Sequence, residues 1–277
     1  MVSNANTDVD RSYVRIKRLR AIVRKFLATT SELLQAREGP YRGKFTTRSA
    51  AESAAARRGK RIGYDHPEAA EIYLHELRSL RTSDYPVIYW LEKRLHPNFR
   101  IFDWGGNLGH SYYAYRDYLN YPTNLTWTIC DVPEIAQAGE RLARRWDSRG
   151  LHFTTVPEEC DGYDVLLISG ALQYMPRSLG DVLDALLEKP SAIVINRTPV
   201  HATLGYFTLQ DIGPAICPYQ IFVESTLIQT LAKHGYALRD RWPCEGKSIR
   251  IPFQSRATIE RYTGFFFERG APVFDRS

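Results

Sequence analysis

The chain is poor in cysteine, and its few cysteines are scattered. The four thiols, at Cys130, Cys160, Cys217 and Cys244, include no Cys-x-x-Cys pair and have no histidine at metal-ligand spacing. This pattern excludes a disulfide framework and provides no zinc motif. We therefore expect buried, unreactive thiols and no bound metal.

Long apolar runs are also missing. A helix that spans a bilayer needs a stretch of about 18 apolar residues, and the chain contains none. Residues 1–11 are too polar for a secretory signal. An apolar share of 44% and a charged share of 25% are typical of globular proteins. We therefore expect a globular, cytoplasmic protein without stable membrane contact.

A net positive charge is missing outside the N-terminal region. Residues 1–63 contain 15 Lys or Arg against 5 Asp or Glu, a balance of +10, and the total of +6 leaves −4 for the rest of the chain. A nucleic-acid footprint needs basic residues on the main domain as well. Nucleic acid is therefore not expected as a partner.

The N-terminal region is predicted to be helical. Residues 12–35 carry apolar side chains at helical spacing with Lys and Arg between them, which predicts a basic amphipathic helix. Packing on the main domain, contact within a homodimer and attachment to an anionic membrane compete as its role, and we favour the first two. Residues 38–63 are predicted to form a mobile linker or lid, and residues 67–80 and 84–95 two helices.

From residue 98 the pattern alternates between strands and helices. The strands are predicted at 100–104, 125–131, 151–155, 163–169, 191–197, 236–242 and within 259–268, and the helices at 109–119, 134–147, 178–188 and 223–234. This alternation predicts an α/β fold with a mostly parallel sheet, helices on both faces and an antiparallel terminal strand pair. We therefore divide the chain into a helical cap and lid, 1–97, and a catalytic domain, 98–277. The long connection 198–222 is expected to cover a ligand.

A glycine-rich turn follows the first predicted strand of this domain. Its pattern is Asp103-x-Gly105-Gly106-x-x-Gly109, which fits the dinucleotide fingerprint Gly-x-Gly-x-x-Gly poorly. Glycines allow a ligand to approach the backbone closely, and the helix that follows offers free N–H groups. The form resembles the first motif of class I S-adenosylmethionine (SAM) methyltransferases, which implies that these four residues bind SAM.

The second predicted strand also ends on a carboxylate. Asp131 follows an apolar, β-branched run, and a carboxylate in this position can accept two hydrogen bonds from the vicinal hydroxyls of a ribose. Asp131 is therefore the predicted ribose ligand.

Several further motifs together resemble one bacterial family of class I SAM methyltransferases. They are Gly63-Tyr64-Asp65, Tyr85-Pro86-Val87-Ile88-Tyr89-Trp90-Leu91, Phe102-Asp103-Trp104-Gly105-Gly106 with Ser111-Tyr112-Tyr113, Asp164-Val165-Leu166-Leu167-Ile168-Ser169 with Leu172-Gln173-Tyr174, and Arg197-Thr198-Pro199. The resemblance covers about residues 60–240. The family often has an acidic residue before Arg-Thr-Pro, where this chain has Asn196.

The resemblance implies a Rossmann-like, seven-stranded SAM-binding fold but does not determine the reaction. Family members include azetidine-2-carboxylate synthases of peptide natural-product pathways, which cyclise SAM itself, besides proteins named methyltransferases by their fold. Cyclisation would make SAM the substrate, whereas methyl transfer would also require a small-molecule acceptor.

The segment after the fourth predicted strand contains no acid or base. Residues 169–175 offer a serine, a glutamine and a tyrosine but no His, Asp or Glu, although transfer to oxygen or nitrogen usually needs a base. Tyr174 is our candidate for holding the sulfonium by a cation–π interaction. The remaining candidates are Tyr64, Tyr112 and Tyr113 closing an aromatic box, Ser169 contacting the cofactor, and Gln173 and Asn196 orienting polar atoms. For each aromatic residue, including Trp104, ordinary core packing is the alternative.

These residues are compatible with three functions. The preferred one is cyclisation of SAM, in which the tethered α-amine attacks the γ-carbon and methylthioadenosine leaves. The second is methylation of a small molecule, for which His201 in the long connection could supply a base, while for His110, at the start of a helix, packing or a bond to solvent is the alternative to such a role. The third is an inactive SAM-fold module that binds a partner or membrane through its basic helix.

Overall fold

The computed structural model describes residues 39–68, 74 and 77–270. The helix predicted over residues 12–35 and part of the helix predicted over 67–80 lie outside the described residues.

The described chain alternates strands and helices. The strands are β1 Tyr41–Phe45, β2 Arg61–Ile62, β3 Arg100–Trp104, β4 Thr126–Cys130, β5 Leu151–Thr154, β6 Val165–Ser169, β7 Ala192–Thr198, β8 Val200–His201, β9 Tyr206–Asp211, β10 Ala215–Val223, β11 Tyr236–Cys244 and β12 Tyr262–Arg269. The helices are α1 Arg48–Ala56, α2 Tyr85–Glu92, α3 His110–Tyr115, α4 Pro133–Arg145, α5 Leu179–Ala185 and α6 Glu224–Lys233.

A seven-stranded main sheet has the order β11-β12-β7-β6-β3-β4-β5. Strands β3 to β7 run parallel to one another, whereas β12 is antiparallel to both β7 and β11. The predicted α/β fold with a mostly parallel, Rossmann-like sheet and an antiparallel terminal pair is confirmed.

Alternate side chains of the central strands enter different apolar layers. Ile101 and Leu167 belong to a core on one face, with side chains of α2, α3 and α4, while Phe102 and Leu166 belong to a core on the other, with α5 and α6. Successive strand residues point to opposite faces, so a sheet covered on both sides needs apolar residues at every position. The main sheet and the helices on its two faces thus form three layers.

Helix α4 illustrates how local sequence determines a helix in this sheet. Pro133 occupies its first turn, Glu134 lies in the same turn, and Arg144 and Arg145 lie in its last turn. Proline suits the first turn because its missing N–H has no helical partner there, and the charges complement the helix dipole. The helix therefore begins and ends close to the predicted bounds, 134–147.

A second sheet joins two segments that are distant in sequence. Its order is β1-β9-β10-β2, with β8 beside β10, and we call it the lid sheet. β1 and β2 come from residues predicted as a linker or lid, and β8, β9 and all but the last residue of β10 lie within the predicted connection 198–222. No strand was predicted in either segment, so the lid sheet is a difference from the predicted order of elements. β1 is short and polar, and it is a strand because β9 pairs with it across about 160 residues.

No helix in the described part of the chain is long and apolar enough to cross a membrane. The four cysteines are all buried and free, as their scattered positions predicted.

Candidate functional site

A cavity of about 340 Å³ lies between the C-terminal ends of the main-sheet strands and the lid sheet. Its wall includes Gly105, Gly106, Asp131 and Ser169 from the main-sheet side and Tyr64, Cys217 and Pro218 from the lid side. This is the edge of a parallel sheet where ligands of such folds bind. The structure thus brings together six of the predicted site residues: Tyr64, Gly105, Gly106, Asp131, Ser169 and Tyr174.

The glycine turn after β3 has no room for side chains. Gly105 has a φ of 78°, and a Cβ on it would lie 2.3 Å from the Cβ of Ala171. A Cβ on Gly106 would lie 2.6 Å from the Cγ of Asp103. Packing against the protein's own side chains therefore requires glycine at both positions, and the backbone of both residues lies in the cavity wall.

Asp103 lies beneath this turn and outside the cavity wall. It is fully buried, and the indole Nε1 of Trp127 donates to its Oδ2 at 3.2 Å. Burial raises the pKa of the Asp103 carboxyl to about 7, and the nearby charge of Asp131 adds to the rise. Asp103 therefore supports the glycine turn from below, which differs from the predicted direct contact with a cofactor.

We predict that Asp103→Asn removes much of the pH dependence of folding stability. The folded-state pKa of about 7 exceeds the unfolded value of about 3.9, so the stability that Asp103 contributes is complete below about pH 4 and is lost as pH rises to about 7. The loss amounts to roughly 4 kcal/mol. Urea unfolding between pH 4 and 8 measures the free energy of unfolding of both proteins. The value for the variant, relative to that of the wild type, should increase as pH rises, and a difference that is constant with pH would contradict the prediction.

Asp131 lies at the tip of β4 and is held by the backbone. The N–H of Asn107 donates to its Oδ2 at 2.9 Å and the N–H of Val132 to its Oδ1 at 2.8 Å. Each carboxylate oxygen has two acceptor positions, so each retains one for a ligand hydroxyl. Burial raises the pKa of this carboxyl to about 6, and nearby Asp65 adds to the rise. The arrangement fits a ribose with two vicinal hydroxyls.

One acidic residue in the cavity wall was not predicted from the sequence. Asp84, at the start of α2, is 2% exposed, and it lines the cavity. The side-chain Nδ2 of Asn196 donates to its Oδ1 at 3.1 Å, and the N–H of Arg81 donates to its Oδ2 at 2.9 Å. No sequence motif indicates this contact, because Asp84 is 112 residues from Asn196 in the chain.

Two arginines accompany Asp84. Arg81 and Arg197 both line the cavity, and the pKa of Arg197 is lowered by burial and by the charge of Arg81. Arg197 has a φ of 55°, a conformation that costs about 1 to 3 kcal/mol for a bulky residue and occurs mainly at functional sites. Guanidinium groups match the geometry of a carboxylate, so this end of the cavity suits an amino acid group.

Asn196 lies beneath the wall, in contact with Asp84. Its Nδ2 also donates to Ser169 Oγ at 3.2 Å, and its Oδ1 accepts from Trp242 Nε1 at 3.1 Å. A carboxylate at position 196 would face the Asp84 carboxylate, and the two negative charges would repel each other. This repulsion explains why an asparagine suits this position. Asn196, which was predicted to orient polar atoms, thus contacts and orients the Asp84 carboxylate.

Tyr174 lies where the cavity wall meets the lid sheet. Its ring makes edge-to-face contacts with Tyr64, at 5.1 Å between centroids, and with Tyr219, at 4.8 Å. Its hydroxyl donates to Oε1 of Gln210 on β9 at 2.5 Å, and the Nε2 of Gln210 donates to Tyr41 at 3.4 Å. The aromatic box therefore includes Tyr219, a residue for which we had predicted no role.

Three predicted aromatic residues lie outside the cavity wall. The Tyr112 hydroxyl donates to the backbone oxygen of Arg149 at 3.1 Å, and the Tyr113 hydroxyl bonds Ser148 Oγ at 3.0 Å. Trp104 is buried in an apolar core. The expectation that these rings face a sulfonium is therefore corrected. Helix α3 turns Tyr112 and Tyr113 toward the core, a direction that its local sequence does not reveal, and β3 places Trp104 in the core on the other face of the sheet.

Two further candidates have supporting positions. The side-chain Nε2 of Gln173 donates to the backbone oxygen of Gly170 at 2.6 Å, which braces the turn after β6. Gly109 precedes α3 with a φ of 101°, and a Cβ there would meet the Tyr113 ring at 3.0 Å. Both shape the cavity from behind its wall.

The two histidines considered as bases are placed differently. His110 lines the cavity, where its Nε2 lies 2.9 Å from Arg81 Nη1. His201 lies away from the cavity wall, and its Nε2 lies 3.0 Å from the backbone oxygen of Arg256. Among residues 39–68, 74 and 77–270, no group of three or more His, Cys, Asp or Glu is placed to hold a metal ion.

We predict that Gln210→Leu loosens the lid sheet from Tyr174. The change removes the acceptor of the Tyr174 hydroxyl and the donor to Tyr41, and it should lower the free energy of unfolding by about 2 kcal/mol. Hydrogen exchange of β9 and β10 amides should accelerate. Gln220→Leu, on the neighbouring strand β10, is the matched control, and equal effects of the two variants would contradict a specific role for Gln210.

Neither a protein-family model nor a curated protein sequence matches this chain. Similar solved structures include 1,6-didemethyltoxoflavin-N1-methyltransferase of Burkholderia thailandensis with bound S-adenosylhomocysteine (SAH), 18% identical over 79% of this chain and 90% of that chain, TM-score 0.47. Magnesium protoporphyrin IX methyltransferase of Synechocystis PCC 6803 with bound SAM is 12% identical over 73% and 83%, TM-score 0.46. A SAM-dependent methyltransferase of Clostridium acetobutylicum ATCC 824 is 12% identical over 74% and 98%, TM-score 0.46. At such low identities, the chemistry of this protein has to be inferred from its own cavity residues.

Proposed function

We propose that this protein consumes SAM and catalyses its intramolecular cyclisation to azetidine-2-carboxylic acid and methylthioadenosine. The α-amine of the substrate would attack its γ-carbon, and the thioether would leave. The sequence motifs and the placement of charged and aromatic residues around one cavity support this reaction.

Each part of the cavity suits one part of SAM. The Asp131 carboxylate would accept hydrogen bonds from the ribose hydroxyls, and the backbone at Gly105 and Gly106 would lie along the amino acid portion. Arg81 and Arg197 would bind the carboxylate. The Tyr174 ring would attract the sulfonium by about 0.5 to 2 kcal/mol.

The observation that carries the proposal is the closure of the cavity beside Tyr174. Gln210, Tyr64 and Tyr219 contact this ring, so protein occupies the far side of it. The cavity, about 340 Å³, lies at the small end of the range of about 300 to 1,000 Å³ for ligand sites. A space of this size can hold a nucleoside-sized ligand such as SAM, and the lid sheet covers it on the Tyr174 side.

An intramolecular reaction needs little from the protein beyond conformation and dryness. A well-oriented tethered nucleophile can have an effective concentration of about 10⁵ M or more, so folding the amino acid chain back is the main task. Tyr64 and Tyr174, together with the lid sheet, would exclude water from the reacting atoms.

Methyl transfer to a small molecule is the second candidate, favoured by one observation. His110 lines the cavity, and an imidazole could take a proton from an acceptor. Such an acceptor would have to enter past the lid sheet.

Incubation of the purified protein with SAM alone distinguishes the candidates. Methylthioadenosine and azetidine-2-carboxylate in equal amounts, measured by mass spectrometry, are expected for cyclisation. SAM that is consumed only when a small-molecule acceptor is added, with SAH as product, would identify a methyltransferase. Binding of SAM by calorimetry without turnover under either condition would identify an inactive binding module.

A further inference from the structure

We propose that Asp84 is the catalytic base, which accepts the proton of the substrate's α-ammonium group. This inference rests on the cyclisation proposed above. An amine must be neutral to attack carbon, and residues 169–175, after the fourth strand of the main domain, supply no base. The structure brings a carboxylate to the same cavity from the start of α2 instead.

Asp84 has acceptor capacity left for a ligand. A carboxylate has about four acceptor positions. Three donors reach it: Asn196 Nδ2 at 3.1 Å, the Arg81 N–H at 2.9 Å, and the hydroxyl of Tyr115. Because Asp84 lines the cavity, the remaining position can accept from an ammonium held there.

Asn196 fixes Asp84 as an acceptor. The Asn196 Oδ1 receives the Trp242 Nε1–H at 3.1 Å and the Cys244 thiol at 3.4 Å. The amide oxygen is therefore committed to two donors, and the Nδ2 group must point toward Asp84. Asn196 is thus a positioning residue: its other contacts hold the Nδ2 group in place as a donor to the Asp84 carboxylate.

The surroundings of Asp84 tune its affinity for protons. The charged and titratable groups that face it are Arg81 from its own turn, Arg197 from the end of β7, Tyr115 from α3 and Cys244 from β11. Burial raises the pKa of Asp84 and outweighs the lowering by the Arg81 hydrogen bond and the two arginines. A carboxyl whose pKa is raised is a stronger base toward an amine.

The step balances without any further reactant. Asp84 takes one proton from the ammonium, and the freed nitrogen lone pair forms the new bond to the γ-carbon. The bond from that carbon to sulfur breaks, and its electron pair stays on sulfur as a neutral thioether. Asp84 then releases its proton to water, so that one SAM yields one azetidine-2-carboxylate zwitterion, one methylthioadenosine and one proton.

A binding experiment tests the contact independently of turnover. SAH carries the α-amino acid group, whereas methylthioadenosine lacks it. Asp84→Asn should weaken SAH binding by about 10-fold or more, as expected for loss of a charge-assisted hydrogen bond, and should leave methylthioadenosine binding within threefold. Asp117→Asn, the same change on an exposed residue after α3, should alter neither affinity.

A kinetic experiment tests the proton transfer. Asp84→Asn should lower kcat for methylthioadenosine formation from SAM by roughly 100-fold to 10,000-fold. Its remaining rate should rise about tenfold per pH unit below pH 7.5, because the free amine fraction does so. The wild-type rate should depend less steeply on pH over this range.

The outcomes separate this inference from the proposed function. A wild type that forms no methylthioadenosine from SAM alone overturns cyclisation and with it the base. A wild type that does form it, with Asp84→Asn retaining kcat within threefold, overturns the base only, as would equal weakening of SAH and methylthioadenosine binding. If Asp84→Asn does not fold, Asp84→Glu replaces it: a displaced carboxylate should keep SAH affinity and lose at least tenfold in kcat, and an unchanged kcat would again overturn the base.

Discussion

Asp131→Ala should lower the affinity for SAH by roughly 100-fold, because two charge-assisted hydrogen bonds of about 1.5 to 3 kcal/mol each would be lost. The carboxylate is already oriented by the N–H groups of Asn107 and Val132, so little conformational freedom opposes ligand binding. Calorimetric titration of both proteins with SAH measures the effect. Asp117→Ala, at an exposed position away from the cavity, is the matched control.

The same carboxylate predicts a pH dependence. The pKa of Asp131 is raised to about 6, so below that pH the group is protonated and loses acceptor positions. Affinity for methylthioadenosine, which carries no amino acid group, should therefore fall as pH decreases from 7 to 5. An affinity that is constant over this range, or an Asp131→Ala variant that binds normally, would contradict the ribose assignment.

Tyr174→Ala should reduce the preference for SAM over SAH, whereas Tyr174→Phe should retain it. SAM carries a sulfonium and SAH a neutral thioether, so the ratio of the two affinities reports the attraction of the ring for the cation. That attraction is about 0.5 to 2 kcal/mol, which corresponds to about 2-fold to 30-fold in the ratio. Phenylalanine keeps the ring but leaves the Gln210 oxygen without its hydroxyl donor, so we also expect it to lower thermal stability.

Tyr112→Phe is the control for this series. It also removes a hydroxyl from a buried tyrosine, but one whose partner is the Arg149 backbone oxygen outside the cavity. Its SAM to SAH ratio should equal that of the wild type. Equal loss of the ratio in Tyr174→Phe and Tyr174→Ala would mean that the hydroxyl, and not the ring, contacts the ligand.

The parts of the cavity that could be predicted are those determined by neighbours in sequence. The glycine turn and Asp131 each follow directly from a strand, and parallel strands bring their C-terminal ends to one edge. Gly105, Gly106 and Asp131 consequently line the cavity. Ser169 lies there for the same reason, at the end of β6.

The parts that could not be predicted depend on which face of an element is covered. Tyr112 and Tyr113 lie on α3 close to the glycine turn, yet their rings pack in the core. A short helix rich in aromatic residues has no clear polar face, so its sequence does not specify which rings meet the ligand. The two predicted aromatic residues that do line the cavity, Tyr64 and Tyr174, lie outside the α-helices.

The sequence by itself determined the strand and helix alternation, the mostly parallel sheet and the positions of the glycine turn and Asp131. These features follow from periodicity and turn chemistry within about ten residues. Only the tertiary structure decided that β1 pairs with β9, that Tyr174 bonds Gln210, and that Asp84 meets Asn196. Each of these contacts joins residues more than 30 apart in the chain. Such contacts form because the burial of a side chain and its hydrogen-bond partners depend on residues from distant parts of the chain. A local sequence pattern contains no information about them.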